Sequence, residues 1–426
     1  MNSNTAAIHL YRCLYVSALL CLAPAAHAAS HYVSPTGTNN PPYTNWADAA
    51  TNIQWAVDAA TNGETVWVTN GNYVLTNQIV VTNGIVLKSV NGRDATFLNG
   101  NYPACTNRCF FISNDAAVID GFTLTNGCVA STSDLSGRGG GLYINSGLIK
   151  NCLIGWCVAT NRGGGIYGDS TSVIVSNCFI SSNFAGTSGG GTYQCTIYNS
   201  IFVGCRSGLA GTGGSGGGAN LGILYNCSLF KNYSRFDGGA LYAGAIYNCN
   251  ISNNWCTGVG GASRISDMYN CVLAGNVAGS EGGGAYNGNL YNCTLAGNSS
   301  GSRGGGAYSG GLYNCIVYFN YAPAESNCSS LSAFVNSCTT PTQSQWSAGS
   351  ITNDPIFAAN GSGYGTNCLA GNYRLSANSP CVNAGTNQSW MTNTVDLDGR
   401  QRIRYGIVDM GAYEIIYEGT FYRLGF

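Results

Sequence analysis

The chain has 426 residues, 61 of them glycine, with 8% charged residues, 45% hydrophobic residues and a formal net charge of −1. Glycine at about twice its usual share and charge at about a third of it exclude a disordered chain, because apolar residues suffice for a core. Three lysines, Lys88, Lys150 and Lys231, leave no basic surface for nucleic acid.

Residues 1–28 read as an export signal. Arg12 precedes the apolar run 14–23, and Ala26-His27-Ala28 is a small-x-small cleavage site. The run is too short to span a bilayer, and no later segment is long enough. The expectation is a mature protein starting near Ala29, secreted or held at the cell surface. Residues 29–64 read as an N-terminal cap. Within it Trp46, Ala49, Ile53, Ala56, Val57 and Ala60 share one face at helical spacing, which predicts a short amphipathic helix over the open end of a repeat stack.

Residues 65–340 carry the repeat. The runs 65–75, 79–90 and 109–113 alternate apolar and polar residues. Regular copies follow over about 120–320, beginning at Asn151, Asn177, Asn199, Asn226, Asn248, Asn270, Asn292 and Asn314, the last five at a spacing of 22 residues. A fixed period of this size means one structural unit stacked on its own copies. Two residues before the asparagine stand Ile149, Val175, Ile197, Leu224, Ile246, Met268, Leu290 and Leu312. Three residues after it stand Ile154, Ile180, Phe202, Leu229, Ile251, Leu273, Leu295 and Val317. Apolar columns alternating with variable ones at period two predict strands, and the glycine clusters before each copy predict tight corners. The fold class is all-β: a parallel β-solenoid whose equivalent strands pair about 4.8 Å apart. Asparagine tolerates left-handed bends, and its amides can bond from rung to rung, so the asparagine columns are read as structural ladders. Asp120 holds the same place one coil earlier, and Asn336 one coil later.

A second Asn stands six residues after the first in most copies, and a cysteine follows the first at seven of eight positions. In-register stacking holds Cβ atoms farther apart than the ~3.8 Å of a disulfide, so these are read as buried thiols. Cys105 with Cys109, Cys328 with Cys338, and Cys368 with Cys381 lie in irregular segments and are the better bridge candidates. Among mature residues one histidine, His31, and no Cys-x-x-Cys pair argue against metal. No cofactor is expected.

Two outward columns are candidates for function. Tyr198, Tyr225, Tyr247, Tyr269, Tyr291 and Tyr313 recur at one position in six successive coils. Tyr143, Tyr167, Tyr193, Tyr242, Tyr286 and Tyr308 form a second column, interrupted by Asn220 and Arg264. Such a strip suits a glycan or a cell-surface partner; the same tyrosines can equally stack on each other and shield the strands. Asp237 and Glu281, two rungs apart, are the carboxylates a hydrolase would need, although Glu281 with Arg303 on the next rung reads more simply as an ion pair.

Residues 341–426 read as irregular final coils and a C-terminal cap, with Asp396, Asp398 and Arg400 closing the last coil. The opening text, Tyr32-Val33-Ser34-Pro35 with Ile53-Gln54-Trp55-Ala56-Val57-Asp58-Ala59-Ala60 and Gly63-Glu64-Thr65-Val66-Trp67-Val68, resembles the start of secreted right-handed parallel β-helix proteins of the pectin-lyase-like superfamily. Gly282-Gly283-Gly284-Ala285-Tyr286 followed by Leu295-Ala296-Gly297-Asn298 is similar to the repeats of polymorphic outer-membrane proteins. The closing text, Asp354-Pro355-Ile356-Phe357, Tyr373-Arg374-Leu375, Ser379-Pro380-Cys381, Asp396-Leu397-Asp398-Gly399-Arg400 and Asp409-Met410-Gly411-Ala412-Tyr413-Glu414, is similar to the end of many bacterial β-helix surface proteins. The resemblance implies right-handedness. It implies no enzyme, because neither the calcium-binding aspartates and basic residue of pectate lyases nor the paired aspartates and histidine of polygalacturonases can be placed here. The expected work is non-catalytic adhesion or glycan contact; the alternative is a polysaccharide lyase or glycoside hydrolase on the same scaffold.

Overall fold

The computed structural model describes residues 28–415, apart from 132–135, 210–212, 343, 345 and 405. The export signal, 1–27, therefore lies outside the described residues. The chain winds into a right-handed parallel β-helix of about 12 turns with roughly 22 residues per coil.

Each regular coil has three sides. In one, Leu241–Tyr247 lies in a broad sheet, Asn250–Ser252 in a middle sheet and Trp255–Cys256 in a narrow one. The next coil repeats them in register as Ser263–Tyr269, Val272–Ala274 and Val277–Ala278. The corner between broad and middle sheets is the first asparagine, held left-handed at φ 54° in Asn226 and Asn248 and 55° in Asn270. The glycine cluster makes the return corner, where a Cβ on Gly239 would collide with the carbonyl oxygen of Gly261. Both apolar columns face inward and are fully buried, from Ile149 to Leu312 and from Ile154 to Val317.

The second asparagine carries the interior amide ladder. Asn254, Asn276 and Asn298 are 0% exposed; each accepts the backbone N–H of the preceding rung's asparagine at 3.0 Å or less and donates to an interior carbonyl. The first asparagines bond along the outer corner instead, as in Asn177 Nδ2 to Asn151 Oδ1 at 2.7 Å, and Asn177, Asn199 and Asn226 are exposed. Alternation explains the difference, since a left-handed corner residue turns its side chain away from the lumen.

The ladder cysteines are buried and unbonded, and all 18 described cysteines are free. Their sulfurs take the ladder's hydrogen-bonding role, as where Cys249 Sγ accepts the Cys227 N–H at 3.2 Å. Burial lifts the Cys249, Cys293 and Cys315 thiols well above their ordinary value. The three proposed bridges are not formed; Cys338 Sγ instead donates to Asn353 O at 3.2 Å, in the core cluster it shares with Cys381.

The helix is shorter than its apolar face suggested, spanning Ile53–Ala59, with Asn52 Oδ1 accepting the Gln54 N–H at 2.8 Å. Ile53, Ala56 and Val57 are buried in the main core, against strands Ser30–Val33 and Ile79–Val81. Trp46 falls outside the helix and stands exposed, its ring centroid 4.4 Å from that of Tyr32 at 65°.

At the other end one degraded coil follows, with Trp346 stacked on Phe334 at 5.2 Å. The chain then turns back along the flank of the rod. Phe357, Tyr373, Leu375, Cys381, Met410 and Ala412 form a second core with the outer residues of the middle sheet, Val272, Ala274, Ala296 and Ile316. Asp396, Asp398 and Arg400 accordingly close a turn of this returning strap, not a coil. Asp396 Oδ1 accepts the N–H groups of Asp398 and Arg400, and Asp398 pairs with Arg374 and Arg400.

Candidate functional site

The broad sheet carries both tyrosine columns outward. Tyr198, Tyr225, Tyr247, Tyr269, Tyr291 and Tyr313 are paired in strict register. Their ring centroids are 4.7–4.9 Å apart and their planes 8–11° from parallel. This geometry limits what the column can do. Each internal ring has both faces against its neighbours, so only ring edges and phenol hydroxyls are left for a partner. A sugar cannot stack on these rings, but it can bond to a row of hydroxyls. Burial, followed by the neighbouring phenols, raises Tyr269 above its ordinary value, so it stays a neutral donor.

The second column is more varied. Tyr167 and Tyr193 stack at 5.2 Å, and Tyr286 and Tyr308 at 5.4 Å. Arg264 continues the column rather than breaking it, lying 5.3 Å from the Tyr242 ring and 5.9 Å from that of Tyr286. Arg138 and Arg162 lie over Tyr167 and Tyr193 in the same manner. Asn220 is buried at its rung and donates to Ser215 O at 3.2 Å.

Between the two tyrosine positions of each coil the broad sheet bends at a left-handed residue, such as Ile265 at φ 55° and Asn287 at φ 53°. The bend leaves a groove of about 360 Å³ crossing several coils, with Gly244 and Gly288 in its floor and Asp267, Asn287, Asn289 and Ser309 along it. Asp267 is exposed and accepts the Asn289 N–H at 3.1 Å. Asp267 carries one signal in the sequence, a lone carboxylate two residues before a column tyrosine. A larger cavity of about 720 Å³ near Gln78 and Arg108 is less promising. The Arg108 guanidinium there is spent on Gln78 Oε1 and the carbonyls of Ser136, Arg138 and Gly139.

The two carboxylates weighed for hydrolysis stand two rungs apart, as the spacing predicts. Asp237 Oδ2 pairs with Arg264 at 2.6 Å while its Oδ1 accepts the Val259 N–H at 2.9 Å. Glu281 bridges Arg303 through the backbone, yet among the described residues their side chains form no ion pair. Among the described residues, no group of three or more His, Cys, Asp and Glu side chains could hold a metal. No described helix is long and apolar enough to cross a membrane.

The strap borders the first column. Asn270, Asn292 and Asn314 donate to the carbonyls of Val395, Asp409 and Thr386 at 2.9–3.0 Å. These three corner asparagines are buried, where Asn177, Asn199 and Asn226 are exposed. From the strap Trp390 reaches Tyr269, at 5.1 Å and 77°, and Tyr291, at 6.4 Å and 73°.

No family model matches the sequence, and no curated protein does. Among solved structures the chain is similar to pectate lyase Pel9A, at 19% identity and TM-score 0.49 over 91% of this chain and 96% of that one. A rhamnogalacturonan lyase aligns at 11% identity and TM-score 0.37 over 78% of this chain and 91% of that one. The Dettilon tailspike protein aligns at 14% identity and TM-score 0.37, over 71% and 68%.

Proposed function

We propose that this is an exported β-helix protein, secreted or held at the cell surface, that contacts glycan without cleaving it. The carrying observation is the groove between the tyrosine positions, lined by Asp267, Asn287, Asn289 and Ser309 beside the stacked rings of Tyr247, Tyr269 and Tyr291. Polar groups at a near 4.8 Å repeat offer donors and acceptors to successive units of a polymer lying along the rod. A lyase or hydrolase would need a base or acid free to move a proton. Asp237 instead has both oxygens engaged, one by Arg264.

The test is a polysaccharide panel read two ways: binding by affinity electrophoresis, and release of unsaturated or reducing-end products. Binding without product supports the proposal. Product formed by the parent and lost in Asp237→Asn or Glu281→Gln would replace it with the enzyme reading.

A further inference from the structure

Charge is unevenly placed along the rod. Between Asp169 and Asp267 the sequence carries four cations, Arg206, Lys231, Arg235 and Arg264, and one carboxylate, Asp237. Asp237 is taken by Arg264 and the Val259 N–H. Arg206, Lys231 and Arg235 are exposed, and among the described residues none of their side chains makes a hydrogen bond or an ion pair.

The fold gathers these three around one ring. Arg206, Tyr233 and Trp255 stand in register on successive coils of the narrow sheet. They point outward, since Ser207, Ser234 and Cys256 beside them are buried. Lys231 and Arg235 flank Tyr233 two residues to either side in its own coil, Lys231 on a left-handed corner at φ 56°. Gly204 holds that corner on the preceding coil, where an added Cβ would meet only Ser182 Oγ, at 3.7 Å, so nothing fills the corner beside Arg206. On the following coil Trp255 is 41% exposed, its ring centroid 4.1 Å from that of Tyr233. Phe236, next to Arg235, is 51% exposed.

This face differs in shape from the groove. Its side chains leave the convex side of a two-residue strand and its corners, and none of them lines the groove or the cavity near Arg108. Cations that diverge cannot enclose one small anion, but they can meet a flat surface carrying many. Three cations are too few for nucleic acid, and Phe236 offers a polar ligand no hydrogen bond. A bilayer interface suits both kinds of residue, since cations reach the phosphates while tryptophan and phenylalanine enter the headgroup layer.

We infer that the narrow sheet between Arg206 and Trp255 is a docking surface for an anionic lipid bilayer. Arg206, Lys231 and Arg235 meet headgroup phosphates, and Trp255 and Phe236 insert beside them. The inference goes beyond glycan contact and uses another side of the rod, which leaves the broad-sheet groove uncovered.

The experiment is co-sedimentation of the mature protein with vesicles of phosphatidylcholine alone and of an equimolar mixture with phosphatidylglycerol. Binding should appear on the anionic vesicles and fall as salt is added. Arg206→Gln, Lys231→Gln and Arg235→Gln should each weaken it about fivefold, since each removes one cation from the surface potential. Trp255→Ala combined with Phe236→Ala should weaken it at unchanged charge, an effect that electrostatics alone does not produce. Melting curves check that the variants fold, and the glutamine variants should bind the polysaccharide panel as the parent does. Vesicle binding that is equal on both compositions, absent from both, or unchanged in the glutamine variants overturns the inference and leaves glycan contact standing. Full binding by the double aromatic variant overturns the insertion. Binding of soluble polygalacturonate that the glutamine variants lose, with no vesicle binding, assigns the patch to an acidic glycan and overturns the lipid surface.

Discussion

Asp237 holds Arg264 at 2.6 Å, and Arg264 lies between the rings of Tyr242 and Tyr286 in the place a tyrosine would fill. A planar guanidinium can occupy a rung of an aromatic stack, provided something fixes its position from the side. The carboxylate that looked like half of a hydrolytic pair is the group that does so.

Asp237→Asn should therefore lower stability by about 1 kcal/mol, as expected for a partly exposed charge-assisted contact. Adding Arg264→Tyr should restore the melting temperature, because a ring needs no anchor. A double variant that melts below the single one would refute the stacking role.

The two asparagine columns separate in the same physical way. Asn276 is 0% exposed and joins three partners, accepting from Asn254 N–H and donating to Ile251 O and Asn298 Oδ1 at 2.9–3.0 Å. Asn276→Ala orphans buried groups and should cost about 1–3 kcal/mol. Asn226, exposed at φ 54°, needs only a residue that tolerates a left-handed bend. Asn226→Gly should stay within about 0.5 kcal/mol of the parent in urea titration. Equal losses would contradict the division between corner and interior.

The repeat was legible because identical coils impose identical environments: period two gave the strands, and columns gave the faces. What alternation gave less clearly was the corner, where one left-handed residue redirects the first asparagine outward. The strap was not legible. Its bonds join Asn270 to Val395 and Asn314 to Thr386, and the partner in each is a backbone carbonyl, which any residue supplies. One signal did exist. The outward middle-sheet positions change from Ser228, Asn250 and Ser252 to Val272, Ala274, Ala296 and Ile316, an apolar stripe that something had to cover. The groove had no pattern of its own, since it arises from a bend between two columns.

The ladder thiols should be invisible until the fold opens. Cys227, Cys249, Cys271, Cys293 and Cys315 are buried and unpaired, and Cys195 is pushed up to about 12 by burial. Iodoacetamide at pH 8 should leave all of these unlabelled in the native protein and label each after denaturation without reductant. Disulfide-linked peptides joining ladder residues would contradict this.

The strap should loosen in alkali, and the sign follows from Glu414. Burial pushes its carboxyl up to about 8 from 4.5, although Arg402 sits 3.0 Å away. Burial raises Asp409 beside it in the same direction, while Asp396 caps the Glu414 N–H at 2.7 Å. The folded state thus binds the Glu414 proton more tightly than the unfolded chain does. Its contribution to stability is complete below the unfolded value of 4.5 and is lost as pH rises through about 8. Limited proteolysis should cut within 354–415 faster at about pH 9 than at about pH 5, with the coils intact. Glu414→Gln keeps an acceptor for Arg402 and for the Asp409 N–H but removes the titrating proton, so its cutting rate should lose most of this dependence. If Glu414→Gln retains the full slope, the strap is governed by another group. If the parent shows no slope, the buried cluster of Arg402, Asp409 and Glu414 does not open in this range, and Trp390 should then hold its position at every pH tested.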